Sequence, residues 1–325
     1  MKVAVLPHFG GPESFKVESA LPPVADRHEV VIAVAAAGVN RADVLQRQGH
    51  YPAPPGAPAW PGLEVSGTIA ATGSDVARWN VGDRVCALLA GGGYAELVTV
   101  AEDLVLPAPP GLPLVSAGGL VEAACTVWSN LRAADAAAGQ TLLVHGGSGG
   151  VGTTAIQIGK ALGMRVVVTA GGAERAQRCR DLGADVAIDY HVDDFVEAAQ
   201  DMGGADVIVD VVGAAYLERN IAALAPDGTL VVIGLQQGST APLNLATLLA
   251  KRARVIGTTL RSRPHDQKAA IVAAVERDVW PWVPRHLQPV IHRTYALDDV
   301  VDAHREMDSG AVFGKLILTT EAATA

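Results

Sequence analysis

The chain has 325 residues, 50% of them apolar and 18% charged, and 25 Lys and Arg against 34 Asp and Glu give a formal charge of −9. That length predicts roughly two domains at about 150 residues each, with a core large enough to need no disulfide staples. Disorder is excluded by the apolar share, and the acidic balance argues against a protein that grips a phosphate backbone through clustered Lys and Arg.

The chain opens on a short apolar run ended by Pro7, too brief for a signal peptide. Over the first 110 residues the texture is β-rich, with strands predicted at Lys2–Leu6, Glu29–Ala36, Glu64–Thr72, Arg84–Leu88 and Ala95–Val100. Five prolines between Tyr51 and Gly62 predict an irregular loop there. Ser116–Arg132 reads as a helix and Ala133–Gln140 as a turn. From Thr141 the pattern changes to short apolar runs alternating with amphipathic stretches. The runs are Leu142–His145, Arg165–Thr169, Val186–Ile188, Val207–Val212, Leu230–Gly234 and Val255–Thr259. Helices are predicted between them at Thr153–Leu162, Arg175–Leu182, Asp193–Gln200 and Glu218–Leu224. Such alternation predicts a doubly wound parallel α/β sheet. After residue 262 it stops, and helices at His265–Arg277 and Leu297–Asp308 precede a last strand, Lys315–Leu318. The expected organisation is nested, with residues 123–262 inserted between 1–122 and 263–325 of a β-rich domain.

Three cysteines, Cys86, Cys125 and Cys179, lie far apart with no C-x-x-C. That usage predicts a reducing compartment, hence a cytoplasmic protein, and no zinc-finger framework. No window approaches eighteen uninterrupted apolar residues, so no membrane span is expected.

The most informative motif joins Leu142–His145 to the segment Gly146-Gly147-Ser148-Gly149-Gly150-Val151-Gly152 and then to a predicted helix. Read from Gly147 it is G-x-G-x-x-G. Its glycines let the backbone approach a pyrophosphate, and the helix start supplies unpaired N–H groups. The motif alone also fits a glycine-rich surface loop; its place in the first strand–helix unit favours a dinucleotide. NAD binders usually carry an acid at the end of the next strand, for the ribose hydroxyls. Here that strand ends Val168-Thr169-Ala170-Gly171-Gly172, followed by Arg175 and Arg178 on a helix, with Tyr190 after the third strand. A planar guanidinium suits a phosphate dianion, so NADPH is favoured over NADH. Glu174 could instead turn toward a ribose, and the two arginines could be a solvated helix face.

With these features, the chain resembles the medium-chain dehydrogenase/reductase superfamily, in its zinc-free quinone oxidoreductase branch, and most of all the p53-inducible-type quinone oxidoreductases. The matching segments are Ala37–Asp43, Gln48–Pro52, Gly62–Gly67, Cys125–Trp128, His145–Gly152, Leu260–Arg263 and Gly314-Lys315. The resemblance implies a Rossmann sheet inserted into a β-rich, GroES-like catalytic domain, an interdomain cleft, and a homodimer joined through the cofactor domains. It implies that Asn40 and Thr126 lie near the nicotinamide and its ribose, and that Ser148, Gly149, Gly150 and Val151 hold the pyrophosphate. Gly171, Gly172, Arg175 and Tyr190 would surround the adenosine ribose and 2′-phosphate. Gly213, Gly234, Leu235, Arg261, Gly314 and Lys315 would complete the cofactor contacts.

Zinc-dependent relatives carry Cys where this chain has Asn40 and His where it has Leu63, and they hold four clustered cysteines in a structural lobe. Three dispersed thiols cannot build that lobe. Without a Lewis acid to stabilise an alkoxide, a substrate that is already electrophilic is expected, and a quinone is one. Asn40 would then hydrogen bond a nicotinamide or substrate oxygen, with Tyr51 a pocket wall or hydrogen-bond donor. Asp43 reads as a helix-start carboxylate, and His50 and His145 as packed or solvated side chains. An enoyl-thioester reductase is the alternative, with Tyr51 donating the proton to carbon. A third possibility, a structural or RNA-binding relative with little turnover, sits poorly with the negative charge and 4% aromatic content. No nucleic-acid partner is expected.

Overall fold

The computed structural model describes residues 1–323. Two compact units are present, one made of Met1–Cys125 and the chain from Leu260 onward, the other of Thr126–Thr259.

Unit 1 begins with β1 (Lys2–Val5), β2 (Lys16–Ser19) and the long β3 (Glu29–Val39), then α1 (Arg41–Arg47). β4 (Glu64–Thr72), β5 (Arg84–Leu88), β6 (Leu97–Ala101) and β7 (Val105–Pro107) follow, and α2 (Leu114–Ala117) and α3 (Val121–Ala133) close this part. β3 is buried along most of its length, and its Val, Ile and Ala residues make the centre of a seven-stranded sheet. The expected single helix over 116–132 is two, because Gly118 and Gly119 interrupt it, and Gly118 packs on Ala36 of β3 too closely for a side chain. α1 and β2 carry too short a pattern to be predicted from the sequence.

Unit 2 contains β8 (Thr141–His145), α4 (Gly150–Ala161), β9 (Arg165–Ala170), α5 (Ala173–Asp181), β10 (Val186–Asp189) and α6 (Phe195–Gln200). It continues through β11 (Ala205–Asp210), α7 (Leu217–Ala223), β12 (Leu224–Val232), α8 (Leu245–Lys251) and β13 (Arg254–Gly257). The six strands are all parallel, in the order β10-β9-β8-β11-β12-β13. This is the doubly wound dinucleotide-binding arrangement, in which the strand order reverses between β8 and β11 and ligands sit outside the carboxyl ends there. Leu143, Val167, Ile208 and Leu230 of four neighbouring strands share one core with Phe195 and Ile221.

The chain returns to unit 1 with α9 (His265–Asp278), β14 (Ile291–Ala296), α10 (Val300–Asp308) and β15 (Lys315–Thr319). β15 pairs parallel to β14 on one side and antiparallel to β3 on the other, so the last strand completes the sheet begun by the first hundred residues. No helix among the described residues is long and apolar enough to cross a membrane.

Two buried histidines belong to this framework. His145, at the end of β8, donates from Nε2 to Asn220 Oδ1 (2.7 Å), accepts at Nδ1 from the Thr169 hydroxyl (3.1 Å), and meets the rings of Phe195 and Tyr216 edge-on. His304 on α10 donates from Nε2 to the Tyr94 hydroxyl at 3.2 Å and packs against Phe15. Burial drives their pKa values down from 6.5, to about 4 and about 3. A folded value below the unfolded one means stability that is complete above about 6.5 and is lost as pH falls toward the folded value. Replacing His145 by Gln should therefore flatten the dependence of unfolding free energy on pH near pH 5 by about one proton relative to the parent. Urea titrations at several pH values would read it, and an unchanged slope would exclude the ring as the titrating group.

Candidate active site

Unit 2 gathers most of the expected cofactor residues on one edge. Ser148 and Gly149 follow β8, and Gly149 is the N-cap of α4 with no side-chain cap, so the N–H groups of Gly150 and Val151 in the first turn lack intrahelical acceptors. Gly152 packs against the Gly146 carbonyl at a distance that no Cβ could share. The turn is held from below by Thr169, which accepts from Gly147 N–H through its carbonyl (2.8 Å) and from Gly146 N–H through its hydroxyl (3.3 Å). His145 orients that hydroxyl.

Gly171 and Gly172 follow β9, Arg175 lies in the first turn of α5, and Tyr190 follows β10 with its hydroxyl seated against Gly171. Gly213 follows β11, and Gly234 and Leu235 follow β12. These residues thus occupy the carboxyl ends of consecutive parallel strands, where ligands of such sheets bind. Thr126 is buried on α3, its carbonyl accepting from the Asn130 side chain at 2.7 Å.

Two acids outside the expected set, Asp210 and Asp189, shape this edge. Asp210, at the end of β11, accepts from Val212 N–H (2.7 Å) and Gly213 N–H (3.1 Å) and fixes that turn; burial raises its pKa. Asp189, at the end of β10, accepts from Gly172 N–H (2.9 Å) and His191 N–H (3.1 Å), which hold its pKa down. The available signal was an acid inside or ending an otherwise apolar strand, a position that needs backbone donors to be stable.

Unit 1 builds a different arrangement around Asn40. This residue precedes α1 as its N-cap, its own N–H bonded to Asp43 Oδ2 at 2.8 Å. Both ends of its amide are engaged: Oδ1 accepts from Lys315 Nζ at 2.6 Å, and Nδ2 donates to Glu64 Oε1 at 3.0 Å and Gly38 O at 3.3 Å. Lys315 also donates to Glu64 Oε1 at 2.6 Å, while Glu64 Oε2 accepts from Glu122 N–H at 3.0 Å. Glu64 and Lys315 are 0% and 2% exposed. Gly38 is obligatory beside them, because the Glu64 carboxylate fills the space of a Cβ. Lys315, expected among the cofactor contacts, is here the buried counter-ion of Glu64.

Asp43 is wholly buried and ties this corner together. Its Oδ1 accepts from Gly62 N–H (3.0 Å), and its Oδ2 from Tyr94 Oη (3.2 Å) as well as from Asn40 N–H. Burial outweighs these bonds and raises its pKa to about 6. Arg261, also expected at the cofactor, is 6% exposed and donates to Ala90 O (2.7 Å), Gln46 Oε1 (2.8 Å) and Tyr51 O (3.2 Å), with its guanidinium carbon 5.3 Å from the centre of the Tyr51 ring. It therefore clamps the proline-rich loop. Tyr51 is half-buried, and burial raises its pKa, so the phenol stays protonated at neutral pH. Gly314, the residue before Lys315, lies against Val290 O.

Comparison with known proteins gives this geometry its context. Residues 26–110 match the family model of the alcohol dehydrogenase GroES-like domain, and residues 150–276 match that of zinc-binding dehydrogenases. A quinone oxidoreductase of Mus musculus is 32% identical over 323 residues, covering 95% of each chain. The chain belongs to the medium-chain dehydrogenase/reductase superfamily. It is an oxidoreductase of mixed α/β fold, with a GroES-like part and a Rossmann sheet. Among solved structures, a quinone oxidoreductase of Pseudomonas syringae pv. tomato aligns with TM-score 0.86 and 28% identity over 98% of this chain and 99% of that one. The Escherichia coli quinone oxidoreductase complexed with NADPH aligns with TM-score 0.84 and 27% identity, over 98% and 99%.

The name of the second family model raises a metal, and the donor set around Asn40 does not fit one. Glu64 Oε1 and Asn40 Oδ1 already hold an ammonium, and a zinc ion could not share them without expelling it. Among the described residues no cluster of three or more His, Cys, Asp or Glu has the geometry to bind a metal ion. The dinucleotide does fit unit 2, where the uncapped start of α4 and the closely packed Gly152 form a backbone cradle. Lys315→Met should cost about 3–5 kcal/mol, because it leaves the Glu64 carboxylate buried without its cation. Glu64→Gln combined with Lys315→Met should recover much of that loss, measured by denaturant unfolding. Equal losses in the single and double variants would show that the pair is not the origin of the cost.

Proposed function

We propose that the chain catalyses zinc-independent reduction of quinones by NADPH. The observation that carries this reading is the Lys315 ammonium held between Glu64 and Asn40, which fills with an organic cation the place where a Lewis acid would act. Without a metal to stabilise an alkoxide, the substrate must accept hydride unaided, and a quinone does so because its reduced oxyanion is delocalised. The full-length likeness to quinone oxidoreductases supports the same conclusion.

When bound, NADPH supplies the hydride at its nicotinamide. In this reading the turn at Gly149–Val151 holds the pyrophosphate through the N–H groups of Gly150 and Val151, helped by the positive end of α4. Arg175 pairs with the 2′-phosphate, Tyr190 and the Gly171–Gly172 turn border the adenosine ribose, and Gly213, Gly234, Leu235 and Thr126 line the rest. Asn40, with its amide fixed at both ends, presents a rigid polar surface, and Tyr51 forms a pocket wall. Water delivers the protons, so no side chain need act as a general acid.

The test is NADPH oxidation against ortho- and para-quinones, with NADH and an enoyl thioester in parallel. NADPH with a quinone should be the fastest pair. Arg175→Ala should raise KM for NADPH about tenfold, the worth of one charge-assisted contact, and leave NADH almost unaffected. Tyr51→Phe should leave quinone turnover nearly intact. A preference for NADH, or enoyl turnover that collapses in Tyr51→Phe, would overturn the assignment.

We also propose a homodimer formed through unit 2 and a cytoplasmic location, where the three unpaired, buried thiols would stay reduced. β13 is the edge of the six-stranded sheet, and Val255 on it and Leu245 and Leu249 on α8 are 40%, 62% and 76% exposed. An unpaired edge beside exposed leucines is suited to a second copy. Sedimentation should give twice 33.4 kDa, and Leu249→Glu should shift it toward the monomer; a monomeric parent would exclude the dimer.

A further inference from the structure

Unit 1 carries a cavity of about 430 Å³, within the range of roughly 300–1,000 Å³ usual for small ligands. Its walls are the proline loop of residues 54–58, residues 88–91 after β5, residues 99–101 with Leu104, and the segment from 261 to 268. The charge in this cavity is lopsided. Arg261, Arg263, His265 and Lys268 line it, and Glu29 is the only acid among the described lining residues. The Glu29 carboxylate accepts from Asp26 N–H at 3.1 Å, and His265 is held by Asp103 at 2.9 Å.

Lys268 is half-buried and has no hydrogen bond or ion pair among the described residues. Its pKa is lowered, first by burial and then by the like charge of Arg261. The three acceptors bonded to Arg261 are two carbonyls and one amide oxygen, so none of them neutralises its charge. Lys268 and Arg261, held partly out of water with no carboxylate hydrogen-bonded to either, carry an electrostatic cost that a bound anion relieves. α9 begins at His265 with no side-chain cap, which adds its partial positive charge to the same wall. Pro54, Pro58, Leu88, Leu89, Val100 and Leu104 supply hydrocarbon to the wall, alongside the polar Thr99 and Ser262.

We propose that this cavity binds an organic carboxylate with an apolar body, its charged end on Lys268 beside Arg261 and its hydrocarbon against Leu104 and the proline loop. The site is separate from the Lys315–Glu64–Asn40 arrangement and does not rest on quinone reduction. Because Arg261 also holds Tyr51 O and Gln46, an occupant would sit directly behind the clamp on the Tyr51 loop.

The test is calorimetric titration of the full chain with 2-naphthoate, its neutral analogue 2-naphthamide, and inorganic phosphate. Naphthoate should bind saturably with Kd below about 1 mM, and the amide and phosphate about tenfold or more weakly, the worth of one charge-assisted contact. Lys268→Gln should weaken naphthoate about tenfold, whereas Lys268→Arg should bind it as the parent does. Quinone reduction without naphthoate should be the same in both variants. Equal binding of acid and amide, phosphate as tight as naphthoate, or naphthoate affinity unchanged in Lys268→Gln would overturn the proposal. So would displacement of naphthoate by NADPH together with insensitivity to Lys268, the signature of binding at the dinucleotide site.

Discussion

The buried pair of Glu64 and Lys315 is the interaction on which unit 1 depends. It joins β4 to β15 across 251 positions of sequence, and through Asn40 it also fixes the entry to α1. Two charges taken from water carry a desolvation cost that their attraction offsets only when every remaining acceptor is satisfied. Here Glu64 Oε2 has the Glu122 N–H, Oε1 has Lys315 and Asn40, and Gly38 leaves the carboxylate room to sit. Such a pair specifies one register for β15 against β3, since a slip by one residue would turn Lys315 to the other face of the sheet. The ammonium that neutralises Glu64 also occupies the carboxylate and amide oxygens of this corner.

Unit 2 solves a different problem with neutral hydrogen bonds and single acids. A parallel sheet ends in carbonyls and N–H groups that cannot all pair with neighbouring strands, and a dinucleotide site needs some of them left for the ligand. Asp210 and Asp189 collect the N–H groups that shape the turns after β11, β9 and β10, while Thr169, its hydroxyl oriented by His145, collects those below the glycine loop. The first turn of α4 keeps N–H groups with no intrahelical acceptor. Binding capacity here is a matter of which donors the fold leaves unused.

Much of this was legible in the sequence. Alternation of β-branched runs with amphipathic stretches gave the doubly wound sheet, since both depend on local pattern alone. Glycines and strand ends marked the edge where Ser148, Gly172, Tyr190 and Gly213 gather. What escaped was long-range or short. β14 and α8 have patterns too brief to stand out, and the pairing of Lys315 with Glu64 leaves no local trace. The resemblance implies Arg261 and Lys315 as cofactor contacts, and in the structure their donors meet oxygens of the protein itself. Asp189 and Asp210 were overlooked because an acid at a strand end looks like solvent until the backbone donors around it are seen.

The placement of β15 has a consequence for how the chain is made. β3 is eleven residues long, and its first half pairs with β6 while its second half waits for a strand that lies more than 270 residues downstream. During synthesis, that half-edge of Ala and Val stays uncovered while the whole of unit 2 emerges from the ribosome and can fold by its own more local contacts. Completion of unit 1 is therefore the late event in biogenesis, and truncation of the last dozen residues would leave a sticky β edge for chaperones or aggregation to claim.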